Sequence, residues 1–534
     1  MPEQMAFARK ASGLVRGLSV VDAFGVGFMN QGLTVSMWVM ISMGLSVYTG
    51  GNLIIATIIS AVLCGIGFTL VWGILGGSMP RSGGEYIYNS RILSPLIGIA
   101  ASFGNAFVWI MWIFVLAPWT VDPGLVMMFQ FLGMESAAEF CTQPLALFLF
   151  SSLVSLIALL FLIFGMKVFA YSQKIVMILG TLGALVILLL FTFSSRAVFI
   201  QSWNNVALQY GSLDYTSFLA SAKTAMESAG TALPVTWNWF DTFGVMVAGS
   251  WLFAYSYCIT FIAGEVKRPD KAIILGNLFA ILVPAFFMLW LATVLYRVVG
   301  FQFLSATAWV DYNGLEGYTV PWSTSYVGLA AMLTTNKFLL VMMAGSFILF
   351  NIWYVALSYL AFPRILFAWG MDRMGPKWFT DIDYRWATPV KNHILCFVLG
   401  EIGIALYSFR GNPMSGLAIT ALEVVSVFGV TAIAATIFPY VKKVGNIWES
   451  SPYKTWKFLG IPAVTIGGIV NLIYLAILFY FYVFMPGFES YTTTTLLFYA
   501  AIWGLGIVWF FWWKAKNAKD GITTDMTYGE LPPD

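Results

Sequence analysis

The chain has 534 residues, of which 60% are hydrophobic, 17% aromatic and only 10% charged, whereas a soluble domain carries roughly 25% charged residues; a soluble globular protein is excluded and a polytopic, all-α membrane protein is expected. The net charge of +3 is spread over basic residues between apolar runs, which marks topology and excludes a nucleic-acid-binding surface. A single histidine, His393, and four isolated cysteines argue against a His-rich metal or proteolytic centre and a disulfide framework, so no metal, no cofactor and no enzymatic activity are expected.

Twelve apolar runs reach bilayer length, centred near Met29, Val62, Trp112, Leu153, Leu182, Trp251, Pro284, Asn351, Leu399, Ser426, Leu472 and Val508, since about 20 apolar residues cross the hydrocarbon core. With residues 1–16 placed in the cytoplasm, all but five of the 27 basic residues fall on the inner side. The five on the outer side are Arg196, Lys223, Arg297, Lys337 and Arg410. The positive-inside rule then puts both termini in the cytoplasm, with the plasma membrane as the expected location. The first run is too long for a signal peptide, and no processing is expected.

Span 1 is interrupted at Gly25-Val26-Gly27-Phe28-Met29-Asn30-Gln31-Gly32. Gly25 and Gly27 read as small residues that let helices approach. Two amides followed by a glycine at mid-depth read differently, because such groups need partners and glycine weakens the helix. Irregular backbone is tolerated at that depth only against protein or a cavity, so the break predicts a binding site. The second half of the helix would offer orphan amides at Gly32, Leu33 and Thr34 to a carboxylate, and the first half would leave carbonyls near Phe28 to Asn30 for an ammonium.

The next irregular stretch, from Ser194 to Phe240, is a long outer loop in which Tyr215 to Ala229 has the pattern of a short amphipathic helix. Span 6 contains Gly249-Ser250 and Tyr255-Ser256-Tyr257-Cys258, a second polar interruption. The two broken spans lie five apart, so successive five-span units have opposite orientations, the pattern of transporters built from inverted repeats around a midplane site. Phe253, Ala254 and Tyr255 would add carbonyl acceptors. Trp251, Phe253, Tyr255 and Tyr257 either line the pocket as aromatic walls or pack between helices, and Ser256 is expected in the same substrate site. Glu401 in span 9 and Glu423 in span 10 are candidates for carrying a proton; the alternative is a neutral carboxyl hydrogen-bonded between helices. A second long outer loop runs from Gly300 to Asn336, and the polar tail 514–534 is expected to fray.

Three segments carry a resemblance. They are Met79-Pro80-Arg81-Ser82-Gly83-Gly84-Glu85-Tyr86-Ile87-Tyr88 after span 2, Gly264-Glu265-Val266-Lys267-Arg268-Pro269 after span 6, and Arg364 to Pro376, leading to Thr388-Pro389, after span 8. In this order and on the expected inner side, they resemble the amino acid/polyamine/organocation superfamily of permeases over about residues 17–440. The resemblance implies a LeuT-like fold with twelve transmembrane helices, a 5+5 inverted repeat and discontinuous helices 1 and 6. It implies transport of amino acids or related amines by alternating access. On this scheme 17–195 is the first repeat, 196–240 an outer loop, 241–440 the second repeat, 441–513 the inner loop with helices 11 and 12, and 514–534 the cytoplasmic tail.

The chain departs from the family pattern in three places. Gln31-Gly32-Leu33 stands where the family has Gly-Ser-Gly, the aromatic gate falls on either Trp251 or Phe253, and Gly180 stands where many relatives carry an intramembrane lysine. The expected partners are the lipid bilayer, an amino acid, neutral or aromatic, and a coupling proton or sodium ion. The alternatives are a polyamine or other organic-cation permease, which would need acidic groups in the cavity, and a channel or nutrient sensor without coupled transport.

Overall fold

The computed structural model describes residues 16–411, 419–420, 423–485, 492–522, 528 and 531. Residues 1–15 and most of the tail beyond 522 therefore lie outside the described residues, and with them the expectations placed on those ends. Among the described residues eleven helices are long and apolar enough to cross a membrane. A twelfth is supplied near Ser426 when Ser426–Tyr440 and Lys442–Glu449, which meet at 79°, are counted as one span.

Span 1 occupies Val20–Val47 and span 6 Trp239–Glu265; these two and the third span, Pro95–Phe131, are buried almost throughout, whereas the remaining long helices are far less buried. Ser19 and Asp22 form a reciprocal cap that starts span 1, satisfying two orphan amides, and Lys174 of span 5 (Met166–Phe193) pairs with Asp22 at 2.8 Å. Gly25 lets the Gln173 amide reach the Asp22 carbonyl at 3.1 Å, and Gly27 lies against Ile259 and Ala280, so these two glycines are close-packing positions. Span 2 (Leu53–Ser78) packs against span 7 (Pro269–Val298) and span 11 (Ala463–Phe484), while span 8 (Lys337–Met371) packs against spans 3 (Pro95–Phe131) and 5.

The helix expected near Tyr215 is present as Tyr215–Ser228, preceded by Arg196–Tyr210. It buries Phe218, Ala222 and Met226, and Phe218 meets Phe303 of the helix Phe301–Asn313. These helices cover one end of the bundle. The opposite, basic end is closed by two buried ion pairs. Arg364 reaches Glu265 at 2.8 Å, and Arg91 holds Asp372 through two nitrogens at 2.6 and 2.8 Å. Tyr86 also donates to Asp372 at 2.9 Å and lies 2.9 Å from the hydroxyl of Tyr528, so this residue of the tail is docked.

Candidate functional site

The first helical piece of span 1 ends at Asn30, and the next begins at Leu33. Between them Gly32 has φ 53° and ψ 60°, a left-handed conformation that costs any other L-residue about 1–2 kcal/mol. The turn leaves the amides of Leu33, Thr34 and Val35 without intrahelical acceptors, and no side chain caps them. In span 6 the α-helix ends at Phe253, where φ is −127°, and the chain continues as a tight 3-10 helix over Ala254–Glu265. The change thus falls at Phe253 and not at Trp251. Long 3-10 stretches are uncommon and mark hinges or strain.

The two breaks are joined by side-chain amides. Asn30 Nδ2 donates to the Tyr255 carbonyl at 2.8 Å, and Gln31 Nε2 donates to the Phe253 carbonyl at 3.2 Å. Both side chains are 0% exposed, and a buried amide without a partner would be costly. Of the span 6 carbonyls expected to be free, those of Phe253 and Tyr255 therefore each hold one donor. Asn30 Oδ1 and Gln31 Oε1 accept nothing from the described residues, which makes amide oxygens available as acceptors at the junction.

The aromatic residues of span 6 face several elements. Trp251 donates to Thr420 Oγ1 at 2.8 Å and packs on Trp112 and Trp119, and Trp119 in turn meets Trp38 of span 1. Tyr255 meets Trp112 and Tyr354 edge-on. Ser256 Oγ and the Tyr354 hydroxyl are buried and accept or donate no hydrogen bond among the described residues. Thr34 is buried, and its carbonyl accepts from Tyr326 at 2.9 Å. Ala254 is likewise buried.

The two candidate carboxylates differ. Glu423 is 0% exposed and accepts from Tyr257 at 2.5 Å, whereas Glu401, partly exposed in span 9 (Val390–Arg410), has no hydrogen bond to these site residues among the described ones. Gly180 is packed against the ring of Phe350, and its carbonyl accepts from Ser346 at 2.6 Å. The position at which relatives hold a lysine is thus filled by an aromatic side chain. Sequence reasoning missed Tyr354 and Asn105. The polar Asn105 inside the apolar run of span 3 was a usable signal; a tyrosine among the many aromatics of span 8 was not.

A solved structure of MhsT in complex with L-phenylalanine matches the fold with a TM-score of 0.53 at 14% identity, covering 86% of this chain and 98% of that one. A search of curated protein sequences gave no match. The sequence model of the amino acid permease family matches residues 25–523.

Proposed function

Since the chain belongs to the amino acid permease family, within the amino acid/polyamine/organocation superfamily, we propose that it is a secondary active transporter carrying neutral or aromatic amino acids across the plasma membrane by alternating access, with both termini in the cytoplasm. The observation that carries this reading is the paired break. A left-handed turn at Gly32 exposes amide donors at Leu33 and Thr34, beside amide oxygens of Asn30 and Gln31 that have no donor among the described residues. The donors suit a carboxylate, strengthened by the positive end of the helix dipole, and the oxygens suit an ammonium. Trp251, Phe253, Tyr255, Ser256, Tyr257 and the added Tyr354 form the wall for the substrate side chain. The complex of MhsT with L-phenylalanine is consistent with an aromatic-walled pocket in this fold.

The repeats 17–195 and 241–440 rock about this site, and helices 11 and 12 stand outside them. The buried pairs Arg364–Glu265 and Arg91–Asp372 act as the inner lock. Glu423, bonded to a residue of the span 6 break, carries the coupling proton. An organic-cation cargo is disfavoured because Glu401 does not join Glu423 at the site.

Uptake and counterflow of labelled amino acids and amines in proteoliposomes, with pH and sodium gradients imposed separately, test this function. Amino acids should exchange, and their esters should bind more than tenfold more weakly, since a charge-assisted hydrogen bond contributes about 1.5–3 kcal/mol. Equal binding of acid and ester would remove carboxylate capture.

A further inference from the structure

A buried set of polar contacts leads from Glu423 to the basic end of the bundle. Tyr257 donates to Glu423 Oε1 at 2.5 Å and lies 3.4 Å from Asn105 Oδ1, and Asn105 Nδ2 donates to Glu85 Oε1 at 2.5 Å. All four residues are 0% exposed. The second oxygen of each carboxyl accepts no hydrogen bond from the described residues. Glu85 opens the helix Glu85–Ile92 and is brought inward by Gly84, whose φ of 59° and approach to the Phe261 ring leave no room for a side chain.

Among the described residues neither carboxyl has a cation of its own. Arg91 is held by Asp372 and Arg364 by Glu265, while Lys443, on the segment after span 10, donates to the Leu93 carbonyl. The other titratable neighbours are Tyr88 and Cys258 beside Glu85, and Tyr255, Tyr354 and Tyr482 beside Glu423. All are neutral types at physiological pH.

One phenol hydrogen cannot serve two acceptors. With Glu423 ionised, Tyr257 donates to it across the 2.5 Å contact. With Glu423 protonated, its own O–H donates to Tyr257 Oη, and the phenol hydrogen turns to Asn105 Oδ1. That polarises the amide and strengthens its donation to an ionised Glu85. Asn105 transmits orientation and passes no proton.

We propose that Glu85 is a second proton-binding residue of the transport cycle, coupled to Glu423 through Tyr257 and Asn105 so that the two carboxyls hold one proton between them. The inference rests on the proton-coupled reading of Glu423. Each proton is taken from water and returned to water; an O–H bond forms on one carboxylate as another breaks on its partner, and the net charge of the pair stays constant. Two ionised carboxylates in a desolvated site repel and are each disfavoured. Burial pushes the Glu85 carboxyl up to about 7, against the opposing hydrogen bond from Asn105.

The test is an infrared titration of the protonated-carboxyl band in the purified full chain, together with uptake in proteoliposomes. In Glu423→Gln the midpoint of Glu85 should move toward acid by about one pH unit, and in Glu85→Gln the midpoint of Glu423 should move by the same amount, because coupling is reciprocal. Tyr257→Phe, which keeps both carboxyls, should reduce that mutual shift. Glu85→Gln should retain counterflow and lose about tenfold or more of pH-driven accumulation, the equivalent of one pH unit of coupling. Unmoved midpoints, or wild-type pH-driven accumulation in Glu85→Gln, would overturn the proposal. Wild-type uptake that ignores an imposed pH gradient would overturn it too, while leaving amino acid transport standing. If the wild type moves no amino acid, the transport reading falls, and the infrared midpoints alone decide the coupling.

Discussion

Replacing Gly32 with alanine imposes two separable penalties. The first is local: φ at this position is 53°, and a left-handed non-glycine residue costs about 1–2 kcal/mol, or about five- to thirtyfold in an equilibrium. The second is contact: a Cβ would stand 2.1 Å from Tyr354 Cε2 and 2.4 Å from Cδ2, far inside van der Waals contact near about 3.5 Å. The ring must therefore leave its place against Tyr255. In the wild-type background both penalties apply, so Gly32→Ala should weaken amino acid binding by more than thirtyfold or lower the unfolding midpoint correspondingly. In a Tyr354→Ala background only the backbone term remains, and the same substitution should cost about five- to thirtyfold. Equilibrium binding of labelled amino acid and thermal unfolding in detergent close the double-mutant cycle, with an expected coupling of at least about 1 kcal/mol. Wild-type affinity and midpoint in Gly32→Ala, or strict additivity in the cycle, would refute the reasoning.

Glu423→Gln preserves shape and hydrogen bonding but removes titration, so counterflow should survive while accumulation driven by a pH gradient disappears; loss of counterflow as well would indicate a packing or substrate role. Arg364→Met strands Glu265, which is 2% exposed, and breaking a buried pair from one side costs about 3–5 kcal/mol. The unfolding midpoint should fall and thiol reagents should reach the basic end. Arg364→Met combined with Glu265→Gln should recover most of the loss, and an unaffected single variant would show that the pair is no lock. The Glu85 carboxyl, raised by burial from 4.5 to about 7, keeps a proton in the folded state that the unfolded chain has already released. Its contribution to stability is therefore greatest below about pH 4.5, falls as pH rises toward 7 and levels above it, by about 3 kcal/mol in total at about 1.4 kcal/mol per unit. Glu85→Gln should flatten that interval in a pH series of unfolding midpoints, and parallel curves for the two proteins would contradict the assignment.

The bilayer spans are legible in the sequence because length and apolarity alone set them, and the span 1 break is legible because Asn30-Gln31-Gly32 places two amides and a glycine in an otherwise apolar run. The span 6 break is harder to place. Gly249-Ser250 and Tyr255-Ser256 both disturb the pattern, and what ties the backbone at Phe253 is Gln31, a partner 222 positions away. Tyr354 is indistinguishable by composition from the aromatics that pack elsewhere in span 8; only the missing side chain at Gly32 gives it a place. Glu85 reads as part of a loop motif, and its burial depends on Gly84 meeting Phe261 and on Asn105 facing it across a helix boundary.

The bonds from Asn30 and Gln31 to the carbonyls of Tyr255 and Phe253 have a mechanical meaning. They yoke the break of span 1 to the break of span 6, so that neither segment can move without carrying or shedding the other. Amides hold no net charge at any physiological pH, and the yoke therefore keeps the same stiffness in acid and in base, and at low and high salt. Under the proton coupling proposed above, acid would act on Glu423 and Glu85 while the joint itself stays indifferent, which separates the part that bends from the part that senses.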